Sequence, residues 1–291
     1  MIYADNAATT CLTQPVFDAM IPYLTEQYGN PSSPHSMGRA AREAIEKARQ
    51  TIAEIFDCKP SSIIFTSGAT EANYMALMNY FRKPNATNQS KFNVIVSEVE
   101  HDSVSRVFRL VDNLGYHVDV CPVTNSGMVN VDWVKNSSYR GITKYLSVMA
   151  VNNELGTLQP IQLLSQICRR RDIVLHTDAT QAIGHTKDFT SLTKYVDFMS
   201  VSAHKFHGPK GVGFLYARNP NSIRPAWFGM HQEGGRRAGT ENVAGIVGMA
   251  AALVDAVDNL DTNLETTARL DSLLRDELLQ TVPDVVFNGS I

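Results

Sequence analysis

The chain has 291 residues, 44% hydrophobic and 19% charged, with 26 basic against 29 acidic side chains. That composition suits a soluble globular protein long enough for one large domain and part of a second, and it excludes collagen-like, low-complexity and disordered classes. A formal charge of −3 offers no basic footprint, and no apolar run is long enough to span a bilayer. Neither nucleic acid nor a membrane is therefore expected as a partner.

The opening Met-Ile-Tyr-Ala-Asp-Asn lacks the basic and apolar regions of a signal peptide, so a cytoplasmic location is expected. Cys11, Cys58, Cys121 and Cys168 are scattered, with no Cys-x-x-Cys and no zinc-site spacing. They read as reduced thiols, with Cys168 a small core residue on a helix and no metal site expected.

In chain order, residues 38–57 place Ala41, Ile45, Ala48, Ile52 and Ile55 at helical spacing, which predicts a helix with one buried face. Ser62–Thr66 reads as a strand and Ala69–Phe81 as a helix. Lys83–Lys91 is polar and reads as a surface loop. Phe92–Val96 is a second strand and Asp102–Leu114 a helix with Val104, Val107, Phe108, Val111 and Leu114 inward. Further strands are expected at His117–Cys121, Tyr145–Val151, Ile173–Thr177, Val196–Val201 and Gly213–Tyr216, with helices near 160–171 and 241–257. A leucine-rich helix over Asn263–Gln280 leads away, and Pro283–Ile291 reads as one strand. The alternation predicts an α/β fold around a mainly parallel sheet with helices on both faces. The expected division is an N-terminal segment 1–14, a large domain 15–257 and, over 258–291, the beginning of a small α/β domain.

In such sheets ligands gather outside the carboxyl ends of the strands. Four strand ends carry chemistry. Thr66-Ser67-Gly68-Ala69-Thr70-Glu71 reads either as an ordinary helix cap or as a turn whose helix N-terminus and Thr70 hydroxyl bind a phosphate. His101 either caps the next helix or lays its ring on a flat cofactor. Asp178 either caps a helix or holds the protonated nitrogen of a pyridine ring, with Gln181 donating to a ring oxygen. In Ser202-Ala203-His204-Lys205-Phe206-His207, Lys205 can form a Schiff base while Ser202 and His204 donate to a phosphate. A metal on His204 and His207 lacks a third ligand, and Gly208–Gly213 does not match a Walker loop. The acid, the lysine and the Gly-Ala-Thr turn form a set that pyridoxal 5′-phosphate (PLP) chemistry requires together.

Several motifs in one order resemble the cysteine desulfurases of nitrogen-fixation type, a branch of the class V aminotransferase family and of the fold-type I PLP enzymes. They are Tyr3-Ala-Asp-Asn-Ala-Ala-Thr-Thr10, Tyr28-Gly-Asn-Pro-Ser-Ser33, Thr66–Glu71, Glu100-His101, Val151-Asn-Asn-Glu154, Thr177-Asp-Ala179, Ala203-His-Lys205 and Gly234–Asn242. The resemblance implies that Lys205 holds PLP and shuttles protons, and that His101 stacks on the ring and serves as an acid/base group. It implies that Asp178 pairs with the pyridinium nitrogen, with Gln181 and Asn153 beside the ring. Ala69 (through its backbone), Thr70, Ser202 and His204 would hold the phosphate, and Thr240 would reach the partner's phosphate in a homodimer. The implied reaction converts L-cysteine to L-alanine and passes the sulfur as a persulfide to iron–sulfur cluster assembly or another acceptor.

The family's nucleophilic cysteine and its carboxylate-binding arginine belong to a C-terminal region after Ile291, and none of the four cysteines matches that position. The chain is therefore expected to form the Schiff base but to transfer sulfur poorly. Alternatives are another PLP lyase or aminotransferase, such as a selenocysteine lyase, and a catalytically silent PLP-binding dimerisation module.

Overall fold

The computed structural model describes residues 2–81, 92–138, 143–227, 229 and 231–289. The loop expected at Lys83–Lys91 lies outside them. Among the described residues, β1 (Ile63–Thr66), β2 (Asn93–Ser97), β3 (His117–Cys121), β4 (Thr143–Ser147), β5 (Val174–Asp178), β6 (Phe198–Ser202) and β7 (Gly213–Ala217) form one sheet in the order β1-β7-β6-β5-β4-β2-β3. Strand β7 runs against both of its neighbours, and the others share one direction. The mainly parallel sheet is as expected; the antiparallel β7 is not, because the short Lys205–Val212 connection turns the chain straight back beside β6.

Helices cover both faces. On one side α1 (Gln14–Thr25), α2 (Ser36–Ile55), α6 (Ile161–Arg171) and α7 (Val243–Asp258) enclose a core that includes Ile52, Phe56, Leu164, Phe214 and Met249. On the other, α3 (Ala69–Phe81) and α4 (Asp102–Asn113) bury Met75, Leu77, Val104 and Phe108 against Ile64, Val94, Tyr145 and Leu215. Apart from the edge strand β3, the strands are buried on both faces, which is why they read as apolar runs rather than as alternation. Cys168 lies in the first of these cores, as expected.

Two helices go beyond the expected elements: α1, and the short α5 (Val131–Ser137), which Asn130 caps by accepting from Trp133 N at 2.9 Å. The strand expected through Val151 stops at Ser147. Residues 148–150 keep hydrogen bonds to β5, Val148 N donating to His176 O at 3.1 Å and Ala150 N to Asp178 O at 2.8 Å, beyond the end of the regular strand. The strand expected over Pro283–Ile291 does not form among the described residues, since 282–289 have no neighbouring strand to pair with. The final helix, α8 (Leu260–Thr281), buries none of its residues, and Leu274 is 60% exposed. No single described helix is long and apolar enough to cross a membrane.

Candidate active site

The ends of β1, β2, β4, β5 and β6 meet the N-terminal segment around a cleft of about 840 Å³, a volume that suits a small cofactor with its substrate. Lys205, one turn past β6, is half-buried; its Nζ donates to Ala7 O at 2.5 Å and Ala8 O at 2.9 Å. Burial lowers its pKa, against the opposing pull of Asp178 and Asp5, so more of it is neutral at a given pH than of a free lysine. Gln181 Nε2 donates to the same Ala7 carbonyl at 2.9 Å. His204 Nδ1 lies 3.1 Å from Thr9 Oγ1, and its backbone oxygen accepts from Thr10 N at 2.9 Å. Burial, helped by Lys205 and Lys210, lowers the His204 pKa and favours the neutral ring.

Asp178 ends β5 and is 5% exposed. Its Oδ1 accepts from Thr180 N at 3.0 Å and its Oδ2 from Asn73 Nδ2 at 2.7 Å. Two residues earlier on the same strand, His176 is fully buried, with Nδ1 2.8 Å from Ser147 Oγ and Nε2 3.2 Å from Ser200 Oγ. Burial depresses its pKa to about 4, so a neutral ring braces three strands beneath the cleft.

His101 caps the helix, as one reading of its position expected, and also stands at the cleft. Its Nδ1 caps α4 by accepting from Ser103 N at 3.0 Å, while its side chain lines the cleft. The neighbouring Glu100 turns the other way: Oε1 accepts from Met149 N at 2.6 Å and Ser97 Oγ at 2.9 Å, which holds the loop after β4 against β2. Burial pushes the Glu100 carboxyl up to about 8, although these two hydrogen bonds pull the other way. The native state therefore keeps a proton that the unfolded chain releases at its ordinary value of 4.5. This contribution to stability is complete below about 4.5 and is lost as pH rises towards about 8, at ~1.4 kcal/mol per pH unit at most. Glu100→Gln, which stays neutral, is expected to flatten that alkaline decline in urea midpoint. An unchanged decline in the variant would show that Glu100 is not its source.

The Gly68 turn brings the N-terminus of α3 into the cleft, where Ala69, Thr70 and Ser202 line the wall. Gly213 makes this possible. It pairs with Thr66 on one side and with Ser202 on the other, and a Cβ there would lie 2.2 Å from Val201 O and 2.8 Å from Gly68 Cα. Gly213→Ala is expected to spread β1 from β6, costing roughly 1–3 kcal/mol as other overpacked sites do. PLP affinity, read by titration, should fall with it. Unaltered affinity and denaturation midpoint would refute the close-approach argument.

Glu71 ties this turn to a later loop. It accepts from Ser67 N at 2.6 Å and pairs with Arg237 Nε at 3.0 Å. Burial raises the Glu71 carboxyl, but these partners outweigh it and hold it below the usual range.

The nine residues expected at this chain's own site come together here: Ala69, Thr70, His101, Asn153, Asp178, Gln181, Ser202, His204 and Lys205. Thr240, expected to reach the partner's phosphate instead, lines a small cavity of about 60 Å³ behind the turn with Ser67 and Gly211. Asp5, Ala7, Ala8, Thr9, Ser103 and Met149 also line the cleft, though their sequence positions assign them no part there, and Asn73 stands behind Asp178. The N-terminal segment is visible in the sequence only as a motif; its contacts with Lys205 span 197 and 198 residues, which no local pattern signals. The donor set can hold a phosphorylated aromatic ring: helix N–H groups and hydroxyls for a phosphate, a buried carboxylate for a ring nitrogen, an imidazole for a ring face and an amine for an aldehyde.

The profile of the Aminotransferase class-V family matches residues 2–290. The chain is 43% identical over 288 residues to the cysteine desulfurase IscS of Dictyoglomus turgidum, covering 99% of this chain and 72% of that protein. It is 38% identical over 291 residues to a cysteine desulfurase of Nostoc sp., covering all of this chain and 71% of that one. Among solved structures, a NifS-like protein superposes with a TM-score of 0.88 at 36% identity, over 96% of this chain and 76% of that one. With a profile match over residues 2–290, relatives of that name at this identity and the same fold, the chain belongs to the class-V aminotransferase family, in its PLP-dependent cysteine desulfurase branch.

Proposed function

We propose that this chain acts on L-cysteine, leaving L-alanine and passing the sulfur to an acceptor thiol that serves iron–sulfur cluster assembly. The observation that carries the reading is the convergence of the Lys205 amine and the buried Asp178 carboxylate from adjacent strand ends, with His101 across the same cleft. The names of the relatives supply the substrate.

When bound, PLP supplies an electron sink for the bonds broken at the substrate. Lys205 would hold it through Nζ, giving up the carbonyls of Ala7 and Ala8, and would then move the proton at the substrate Cα. Asp178 would hold the ring nitrogen protonated, and His101 would cover a ring face. Gln181 and Asn153 would serve beside the ring. The Ala69 backbone, Thr70, Ser202 and His204 would hold the phosphate, and Thr240 would reach the phosphate of the partner subunit in a homodimer. In this reading residues 15–257 are the cofactor-binding body behind the segment 1–14. Residues 258–291 begin a small second domain, a reading that the exposure of α8 supports.

In the sulfur step the substrate C–S bond breaks, the sulfur joins a thiolate as a persulfide, and the carbon keeps the electron pair and takes a proton. Burial pushes the thiols of Cys58 and Cys121 up to about 11 and that of Cys168 to about 12. A thiolate is the nucleophile, so these three are disfavoured as acceptors. The test is to supply PLP, L-cysteine and a dithiol reductant as the sulfur acceptor, and to measure L-alanine and sulfide. Equal yields of both are expected. Formation of pyruvate, or turnover only when a keto acid is added, would overturn the desulfurase reading in favour of another PLP reaction.

A further inference from the structure

Behind the cleft, a fully buried amide joins two of its walls. Asn73 lies in the middle of α3 at 0% exposure, between the core residues Ala72 and Met75, where an apolar side chain would pack without cost. Its Nδ2 donates to Asp178 Oδ2 at 2.7 Å and to Ser103 Oγ at 2.9 Å. The orientation of the amide follows from its partner: a carboxylate only accepts, so the nitrogen must face Asp178. Both amide hydrogens are then used. Asn73 Oδ1 finds no partner among the described residues, so the amide sits there at an energetic disadvantage that packing does not explain.

Counting hydrogens fixes the rest of the chain. Ser103 Oγ accepts from Asn73, which leaves its single hydrogen free for His101 Nδ1, 2.8 Å away. Nδ1 also accepts from Ser103 N at 3.0 Å. With two donors directed at it, Nδ1 keeps its lone pair, and the proton of the neutral ring sits on Nε2. We propose that Asn73 and Ser103 are positioning residues, which fix the tautomer and orientation of His101 and lock it to Asp178 across the α3–α4 contact. The role in catalysis rests on the reading of the cleft as the PLP site. There the relay would hold the ring-face group and the ring-nitrogen group in one register, with no added charge beside Asp178.

The tautomer can be read without cofactor. In the apoprotein with isotope-labelled histidine, at alkaline pH where the imidazole is neutral, long-range proton–nitrogen correlation distinguishes Nε2–H from Nδ1–H. The native protein should show His101 as the Nε2–H form. Ser103→Ala, which keeps the capping N–H but removes the hydroxyl, should raise the share of the Nδ1–H form roughly fivefold, as loss of one hydrogen bond of ordinary net strength implies. Asn73→Ala should raise it in the same direction, and Ser103→Thr should restore the native pattern. The alanine variants, loaded with PLP, should also bind it more weakly. A His101 tautomer ratio equal to native in both alanine variants overturns the relay, and if Asn73→Ala does not fold, a native ratio in Ser103→Ala overturns it alone. Failure of the PLP reading would look different: no cofactor absorption band in any variant, with the tautomer pattern of the apoprotein as described.

Discussion

Lys205→Ala protein, purified and supplied with PLP, is expected to lose the visible absorption band of the covalently held cofactor and to form L-alanine from L-cysteine at least about a thousandfold more slowly. The size follows from two losses together: the covalent link, and a positioned proton-transfer group that by itself contributes ~10²–10⁴-fold. Lys205→Arg sharpens the test. A guanidinium can still donate to the carbonyls of Ala7 and Ala8, so the N-terminal segment stays in place, but it does not deprotonate to attack an aldehyde. The two variants should therefore be equally inactive, with Arg the closer to native in thermal midpoint. The lowered pKa of Lys205 adds a sign. Burial favours its neutral form, so PLP capture should rise with pH and reach its plateau below the pH at which an ordinary lysine deprotonates. A K205A protein that keeps both the band and the rate would place the chemistry on another amine. Lys210, which lines the same cleft, would be the first to examine.

Much of this site is legible in the sequence because its residues end strands. Asp178, Lys205 and the Thr66–Glu71 turn each follow an apolar run, and the topological rule for such sheets collects those ends on one edge. What cannot be read depends on contacts between distant segments. The Gly213 Cα–H faces the Gly68 turn only because β7 inserts between β1 and β6, and the antiparallel insertion leaves no mark on periodicity. Asn73 looks like the other polar residues of its helix, Thr70, Glu71 and Asn79, and its partner Asp178 lies 105 positions away. For His101 the sequence sets capping against function as though the two excluded each other, whereas one ring nitrogen caps while the ring lines the cleft. The strand expected over 283–291 has suitable residues, but among the described residues it meets no sheet edge, a condition outside any local window.

The largest expected effect on stability lies away from the cleft, at Arg49. Its guanidinium forms a two-point pair with Glu233, Nη1 to Oε2 at 2.8 Å and Nη2 to Oε1 at 2.7 Å, donates to Ile63 O at 2.7 Å, and stacks 4.5 Å over the Phe65 ring. Glu233 also accepts from Phe65 N at 2.9 Å, and its side chain is only 2% exposed. One ion pair thus joins α2, the start of β1 and the loop that leads to Arg237 and Thr240. Arg49→Met leaves a buried carboxylate without its counter-charge, which typically costs about 3–5 kcal/mol. Arg49→Lys is not a mild substitute, because a single ammonium cannot match the two-point geometry and still reach Ile63 O. Removing both charges in Arg49→Met with Glu233→Leu should recover part of the loss. Recovery stays incomplete because Phe65 N then lacks its acceptor, a deficit of about 1–3 kcal/mol. Urea unfolding of the two single variants and the double variant gives the coupling directly. If the two single losses simply add in the double, the pair contributes nothing as a pair. A strong positive coupling makes it the clamp that sets β1, and with it the turn that follows Thr66.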